Sequence, residues 1–200
     1  MQKQTVSRHH HLRHWHHVVL KRRNRGLKIN TKQMAVGQFV SLIGAIVAGV
    51  VLDINKESLA AFAGAFVVLP GVFDLSGSLG ASLSAKINHR LEDNRASAWK
   101  IFWSSLFFTY CIALTAGLLV SLTGATIAAL FFDAVFYKVF LLTELSIALC
   151  CLIGMPFIGI LSIVLRKFKV NPDDVVGPIE SSITDILSVV LLGFVAGLLL

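Results

Sequence analysis

Ser181, Thr184, Asp185 and Ser188 recur at i, i+3, i+4 and i+7, the spacing that places four side chains on one face of an α-helix. All four carry oxygen, the donor atom that hard cations take. Asp185 also stands within an apolar run that continues to Leu200. An ionised group at membrane depth costs from ~2.5 to more than 10 kcal/mol unless it faces protein, water or a counter-ion, so its presence points to a function. Glu180 lies five positions earlier, about 140° around the same helix. Two readings of it stand side by side: a cation ligand at the mouth of a path, or a charge favoured by the helix dipole near an N-terminus. The preceding Asn171-Pro172-Asp173-Asp174-Val175-Val176-Gly177-Pro178 is read as a turn whose prolines fix the entry of a helix starting at Ile179.

A second segment repeats the theme. In Leu69-Pro70-Gly71-Val72-Phe73-Asp74-Leu75-Ser76-Gly77-Ser78-Leu79-Gly80, the side chains of Asp74, Ser78 and the later Ser82 fall on one helical face. Pro70 and the glycines permit a kinked or locally unwound helix, which membranes tolerate only against protein or a watery cavity. A small-residue packing seam explains Gly77, Gly80 and Ser84. It leaves Asp74 unexplained, so Asp74 and Ser78 join Asp185, Ser181, Thr184 and Glu180 as candidate metal-facing residues. Glu144, about five residues into its own apolar run, is expected to meet the membrane interface.

The elements that must carry these residues are membrane helices. With 56% hydrophobic and 14% charged residues and a mean hydropathy of +0.77, the 200-residue chain reads as an all-α polytopic membrane protein. Apolar stretches of bilayer length fall near 34–52, 58–86, 99–122, 139–165 and 179–200. Residues 1–33 form a basic, His-rich tail, expected to be disordered and cytoplasmic, and 34–200 a five-helix transport unit. The histidines at 9, 10, 11, 14, 16 and 17 lack the spacing of a closed metal site. The first apolar run is expected to stay as a helix, since no small-residue cleavage site follows it.

Charge fixes the expected orientation. Of the 18 Lys and Arg residues, all but Lys56 and Lys138 fall in the tail or in the second and fourth connections. Basic residues in short loops stay on the cytoplasmic side, so the N-terminus is expected inside and the C-terminus outside the cell membrane. The net charge of +7 is then topology and attraction to anionic lipid, not nucleic-acid recognition. Cys111, Cys150 and Cys151 lie within spans and read as small packing residues. No phosphate-binding Gly-rich loop, zinc-protease helix or nucleophile elbow is present, so no enzyme is expected.

The run Asn171-Pro172-Asp173-Asp174-Val175, followed by Gly177-Pro178, Ser181, Ser182 and Asp185, resembles the final-helix signature of the MgtE-type magnesium channels and their eukaryotic solute-carrier relatives. Leu69-Pro70 with Gly77, Gly80 and Ala81 resembles the pore helix of the same family, with Gly77-Ser78 where the family often has Gly-Asn. The resemblance spans 34–200. It implies a Mg2+ path formed by the second and fifth helices at a two-fold interface, with Asp185 presented to the hydrated ion. It also implies a homodimer of single five-helix units, lacking the regulatory domains of bacterial members. Two other readings fit the same acids: an exchanger of divalent cations coupled to Na+ or H+, and a non-transporting scaffold whose polar seams hold partner helices.

Overall fold

A computed structural model of the chain describes residues 31–92, 97–167 and 172–200. The His-rich tail therefore lies outside the described residues. Five helices follow in order: α1 Thr31–Ala60, α2 Ala65–Glu92, α3 Ala98–Phe132, α4 Phe136–Lys167 and α5 Pro172–Leu199. Each holds a stretch long and apolar enough to cross a bilayer.

The helices run longer than the apolar stretches at several ends. α1 continues through Asp53, Lys56 and Glu57 to Ala60, with Lys56 Nζ paired to Asp53 at 2.9 Å on its exposed last turns. α3 continues ten residues beyond Leu122, through a Thr-Gly-Ala-Thr sequence that looks like a break. The reason is local. Thr123 and Thr126 donate to the Leu119 and Leu122 carbonyls at 2.7 Å, so their hydroxyls are satisfied inside the helix. α3 stops at Asp133, which adopts left-handed φ 51° and ψ 28°, and the Ala134 N–H closes back on the Ala128 carbonyl at 3.3 Å.

Two expectations need correction. α2 is a continuous helix with Pro70 inside it, not an unwound segment; Pro70 sits in the second turn, where few intrahelical bonds precede it to be lost. α5 begins at Pro172, not Ile179, so Asp173 and Asp174 belong to its first turn and Pro178 lies within it. Asp185 is thereby moved from near the inner end to the midpoint of α5, about 20 Å from either end.

Packing is governed by small residues. Membrane helices gain little from burying apolar surface against one another, so close backbone approach decides which faces meet. On α3 the buried ridge reads Ser105, Thr109, Ala113, Gly117, Ser121 and Ala125, one residue per turn. Ile101, Phe102 and Leu106 are buried at its start, whereas further along the large apolar side chains, such as Phe107, Leu119 and Leu130, point outward. α2 and α4 run parallel at the centre, in a constant register: Ser162 donates to Ser84 at 2.9 Å and Arg166 donates to the Asn88 carbonyl at 2.8 Å, both pairs 78 positions apart. α3 and α5 pack on opposite sides of this pair, and do not touch one another. α1 lies outside α5, parallel to it, and barely meets α2. Its buried edge is Gly37, Gly44 and Ala48. Gly44 takes the Ser182 side chain where a Cβ would otherwise sit.

Candidate functional site

The site is built on α2 and α5, which cross antiparallel. Ser188 Oγ meets Ser76 Oγ at 3.5 Å, Thr184 packs over Gly77, and Glu180 packs over Gly80. These three contacts set the register, and they divide the oxygen-bearing residues of α5 into two groups.

One group faces inward. Thr184, Ser188 and Glu180 are buried at the junction of α2, α4 and α5. Thr184 Oγ1 donates to the Glu180 and Ser181 carbonyls at 2.9 and 3.0 Å. Ser188 also meets Cys150 Sγ at 3.3 Å, which ties α5 to α4. The cysteines are unpaired, and Cys150 and Cys151 are packed in the core as their small size allows. Glu180 is 1% exposed, and neither carboxylate oxygen accepts a well-formed hydrogen bond, although the Ala81 amide lies near it. Gly80 has no side chain because the Glu180 carboxylate and Ile158 occupy that space. Glu180 is thus inside the helix bundle and eight residues past the start of α5, neither at an exposed mouth nor at a helix N-terminus.

The other group faces away from the bundle. Asp74, Ser78 and Ser82 on α2 are exposed, and their hydroxyls do no more than bond back to their own helix, Ser78 to the Leu75 carbonyl at 3.1 Å and Ser82 to the Ser78 carbonyl at 2.8 Å. Ser181 and Asp185 on α5 are half-buried. On the wheel Asp185 lies 100° from Thr184, which meets α2, and 60° from Ser182, which meets α1. It therefore looks into the gap between α1 and α2. The register puts Ser78 level with Asp185 and Asp74 roughly 6 Å further along the axis. Neither Asp74 nor Asp185 has an ion-pair or hydrogen-bond partner among the described residues.

The four residues expected on one face of α5 are therefore split. Asp185 and Ser181 share an open side with Asp74 and Ser78 of α2, whereas Thr184 and Ser188 turn inward. No group of three His, Cys, Asp or Glu side chains converges among the described residues, so one chain alone assembles no closed metal cage. Sequence reasoning also placed Glu144 too shallow. It lies eight residues inside α4, and its Oε2 accepts from the buried Ser121 hydroxyl at 2.9 Å, beside Gly117. The signal was present in Gly117 and Ser121, four apart on the facing helix.

Five helices long and apolar enough to cross a membrane, with two carboxylates that have no partner among the described residues, define a polytopic membrane protein whose acids point to a function. The sequence pattern of MgtE, described as divalent cation transporter, matches residues 69–195, more than half of the chain. The chain belongs to the MgtE family of divalent cation transporters. The match runs from the second turn of α2 to near the end of α5, and so contains every candidate residue named above.

Proposed function

We propose that the protein carries Mg2+ across the cell membrane through a path completed by a second copy of the chain, with the open α2–α5 face of each copy turned to the shared axis. The observation that carries this reading is the pair of carboxylates, Asp74 and Asp185, that have no partner among the described residues, on a polar face that the described helices leave uncovered. Lipid does not solvate such a face, so water, ions or protein must meet it. Mg2+ gives up its hydration shell reluctantly and is usually held through one or two carboxylates with several waters retained. Isolated acids flanked by serines suit a hydrated ion of that kind better than they suit a dehydrated one. A two-fold axis beside α5 doubles each acid, giving a ring of four carboxylates at two levels.

In this reading Asp185 holds the hydrated cation, Asp74 forms the second level, and Ser181 and Ser78 bond to its water shell. Thr184 and Glu180 form the wall behind them, bracing α5 against α2. The basic ends of α2 and α4 lie in the cytoplasm and the C-terminus outside, as the charge bias requires. Mg2+ uptake into proteoliposomes is the test. Asp185→Asn keeps the shape and removes the charge, and flux is expected to fall at least a hundredfold while the variant remains folded and dimeric. Unchanged Mg2+ flux in a folded variant overturns the assignment.

A further inference from the structure

The end of the bundle away from Arg166 holds a cavity of about 170 Å3. It lies where the α1–α2 turn, the α3–α4 turn, the first turn of α4 and the end of α5 come together, and Phe62, Asp133, Val135, Lys138, Val139 and Leu200 are among its lining residues. Its walls are held without help from a ligand. The Phe62 carbonyl accepts from the Ala65 N–H at 3.1 Å, and the Val135 carbonyl accepts from the Lys138 and Val139 N–H groups at 3.0 and 3.3 Å. Gly64, at φ 80°, packs closely on Ala128 and so docks the first turn onto α3. Phe62, Ala134 and Val139 are buried, so the floor is formed before anything enters.

Two residues of opposite charge line this cavity, and each stands at the unfavourable end of its helix. Asp133 is the left-handed residue that ends α3, a position that glycine or asparagine usually fills, and an acid there lies beside the negative end of the helix dipole. Lys138 is the third residue of α4, beside the positive end. Helix chemistry therefore supplies no reason for either charge. The two form no ion pair with one another. Lys138 is half-buried, with its Nζ 5.9 Å from the centroid of the Phe62 ring on the cavity wall, and Asp133 is exposed. One small cavity thus offers a cation and an anion that are set apart.

We infer that this cavity binds a small zwitterion, its acidic oxygens meeting Lys138 and its primary ammonium meeting Asp133. An ammonium donates N–H bonds that a carboxylate accepts, whereas a trimethylammonium has none to give. The apolar remainder of the lining, Phe62, Val135, Val139 and Leu200, suits the short carbon chain between the two charges. Ethanolamine phosphate has this form, either free or as the headgroup of phosphatidylethanolamine. The inference is independent of the proposed ion path, which uses the open face of α2 and α5.

The test follows the melting temperature of the purified full-length protein in a neutral detergent as ethanolamine phosphate, dihexanoyl phosphatidylethanolamine or their choline counterparts are titrated in. The ethanolamine compounds are expected to raise it and the choline compounds to leave it unchanged. Saturation by free ethanolamine phosphate identifies a soluble occupant, and a response to the lipid alone identifies a headgroup. Asp133→Asn keeps the turn, because asparagine accepts left-handed backbone, and removes only the charge. It and Lys138→Gln are each expected to raise the half-saturating concentration about fivefold, the effect of one partly exposed charge pair. Lys138→Arg is expected to retain binding, and Lys56→Gln, at a lysine already paired to Asp53, to change nothing. Should the variants fail to fold, the wild type decides through its choice of ethanolamine over choline. An equal response to ethanolamine and choline, no response to either ethanolamine compound, or an unchanged response in a folded variant carrying both Asp133→Asn and Lys138→Gln overturns the inference.

Discussion

Two polar surfaces on the same two helices, less than half a turn apart, have opposite fates. The inner seam of Ser76, Ser84, Thr184 and Ser188 is closed, and its hydroxyls find partners on α2, α4 or their own backbone. The outer stripe of Asp74, Ser78, Ser181 and Asp185 uses nearly the same residue types and leaves both carboxylates without a partner among the described residues. Polar content therefore does not mark a site in a membrane protein. What marks it is polar capacity that the fold leaves unspent. Glu180 is the instructive exception, an acid sealed in the seam without a well-formed hydrogen bond, over a glycine that makes room for it.

The comparison breaks most visibly at Gly80. Gly80→Leu places a side chain where the Glu180 carboxylate and Ile158 already sit, and overpacking a tight core costs ~1–3 kcal/mol or more. Loss of most folded protein on size-exclusion chromatography is expected, whereas Gly49→Leu on α1, with open space around it, is expected to elute as wild type. Normal yield and melting from Gly80→Leu would mean that the seam is looser than its contacts suggest.

Cross-linking sharpens the contrast between closed and open faces. In a background with Cys111, Cys150 and Cys151 replaced, Ser78→Cys is expected to form a disulfide between two copies, and Ser84→Cys, buried against Ser162, is not. The reverse pattern, or none from Ser78, argues against a shared axis at this face.

A smaller effect is expected at Asp74, which lies a step away from Asp185 along the proposed path. Asp74→Asn should lower Mg2+ flux several-fold, not abolish it, and should raise the concentration of Mg2+ needed for half-maximal flux. Smaller still is Ser162→Ala, which removes one hydroxyl contact across the α2–α4 register. It is expected to lower stability by about 1 kcal/mol, read from a denaturation midpoint, with flux per folded molecule unchanged. A flux defect there would move the functional boundary into the seam.

The helices were legible because long apolar runs have few alternatives. Their ends were not: the apolar stretch near 99–122 stops ten residues short of the end of α3, where Thr123 and Thr126 bond their hydroxyls within the helix. The acids at 74 and 185 stood out from the sequence by the cost of burying them in lipid. Their orientation was harder. α5 meets α1, α2 and α4 on three sides, so Glu180, Ser181, Ser182, Thr184, Asp185 and Ser188 are polar nearly all round the helix, and periodicity alone cannot say which of them faces the gap. Only the register set by Gly77 and Gly80 separates the inward residues from those on the open face.

The attachment of α1 bears on how the molecule is made. Its chief neighbour is α5, and the Ser182 hydroxyl that reaches the Ser41 carbonyl at 3.4 Å comes from 141 residues later in the chain. At a translation rate of about 5–20 residues per second, the 141 residues between these partners take roughly 7–28 s to make, so α1 waits that long before its partner emerges. During that interval its Gly37, Gly44 and Ala48 edge lacks α5, its chief neighbour among the described helices. The remaining helices assemble from neighbours in order, α2 on α3 and α3 on α4. Biogenesis thus finishes with a long-range docking event, and a nascent chain stalled before α5 would present a helix with an unfilled groove to whatever surveys the membrane for incomplete proteins.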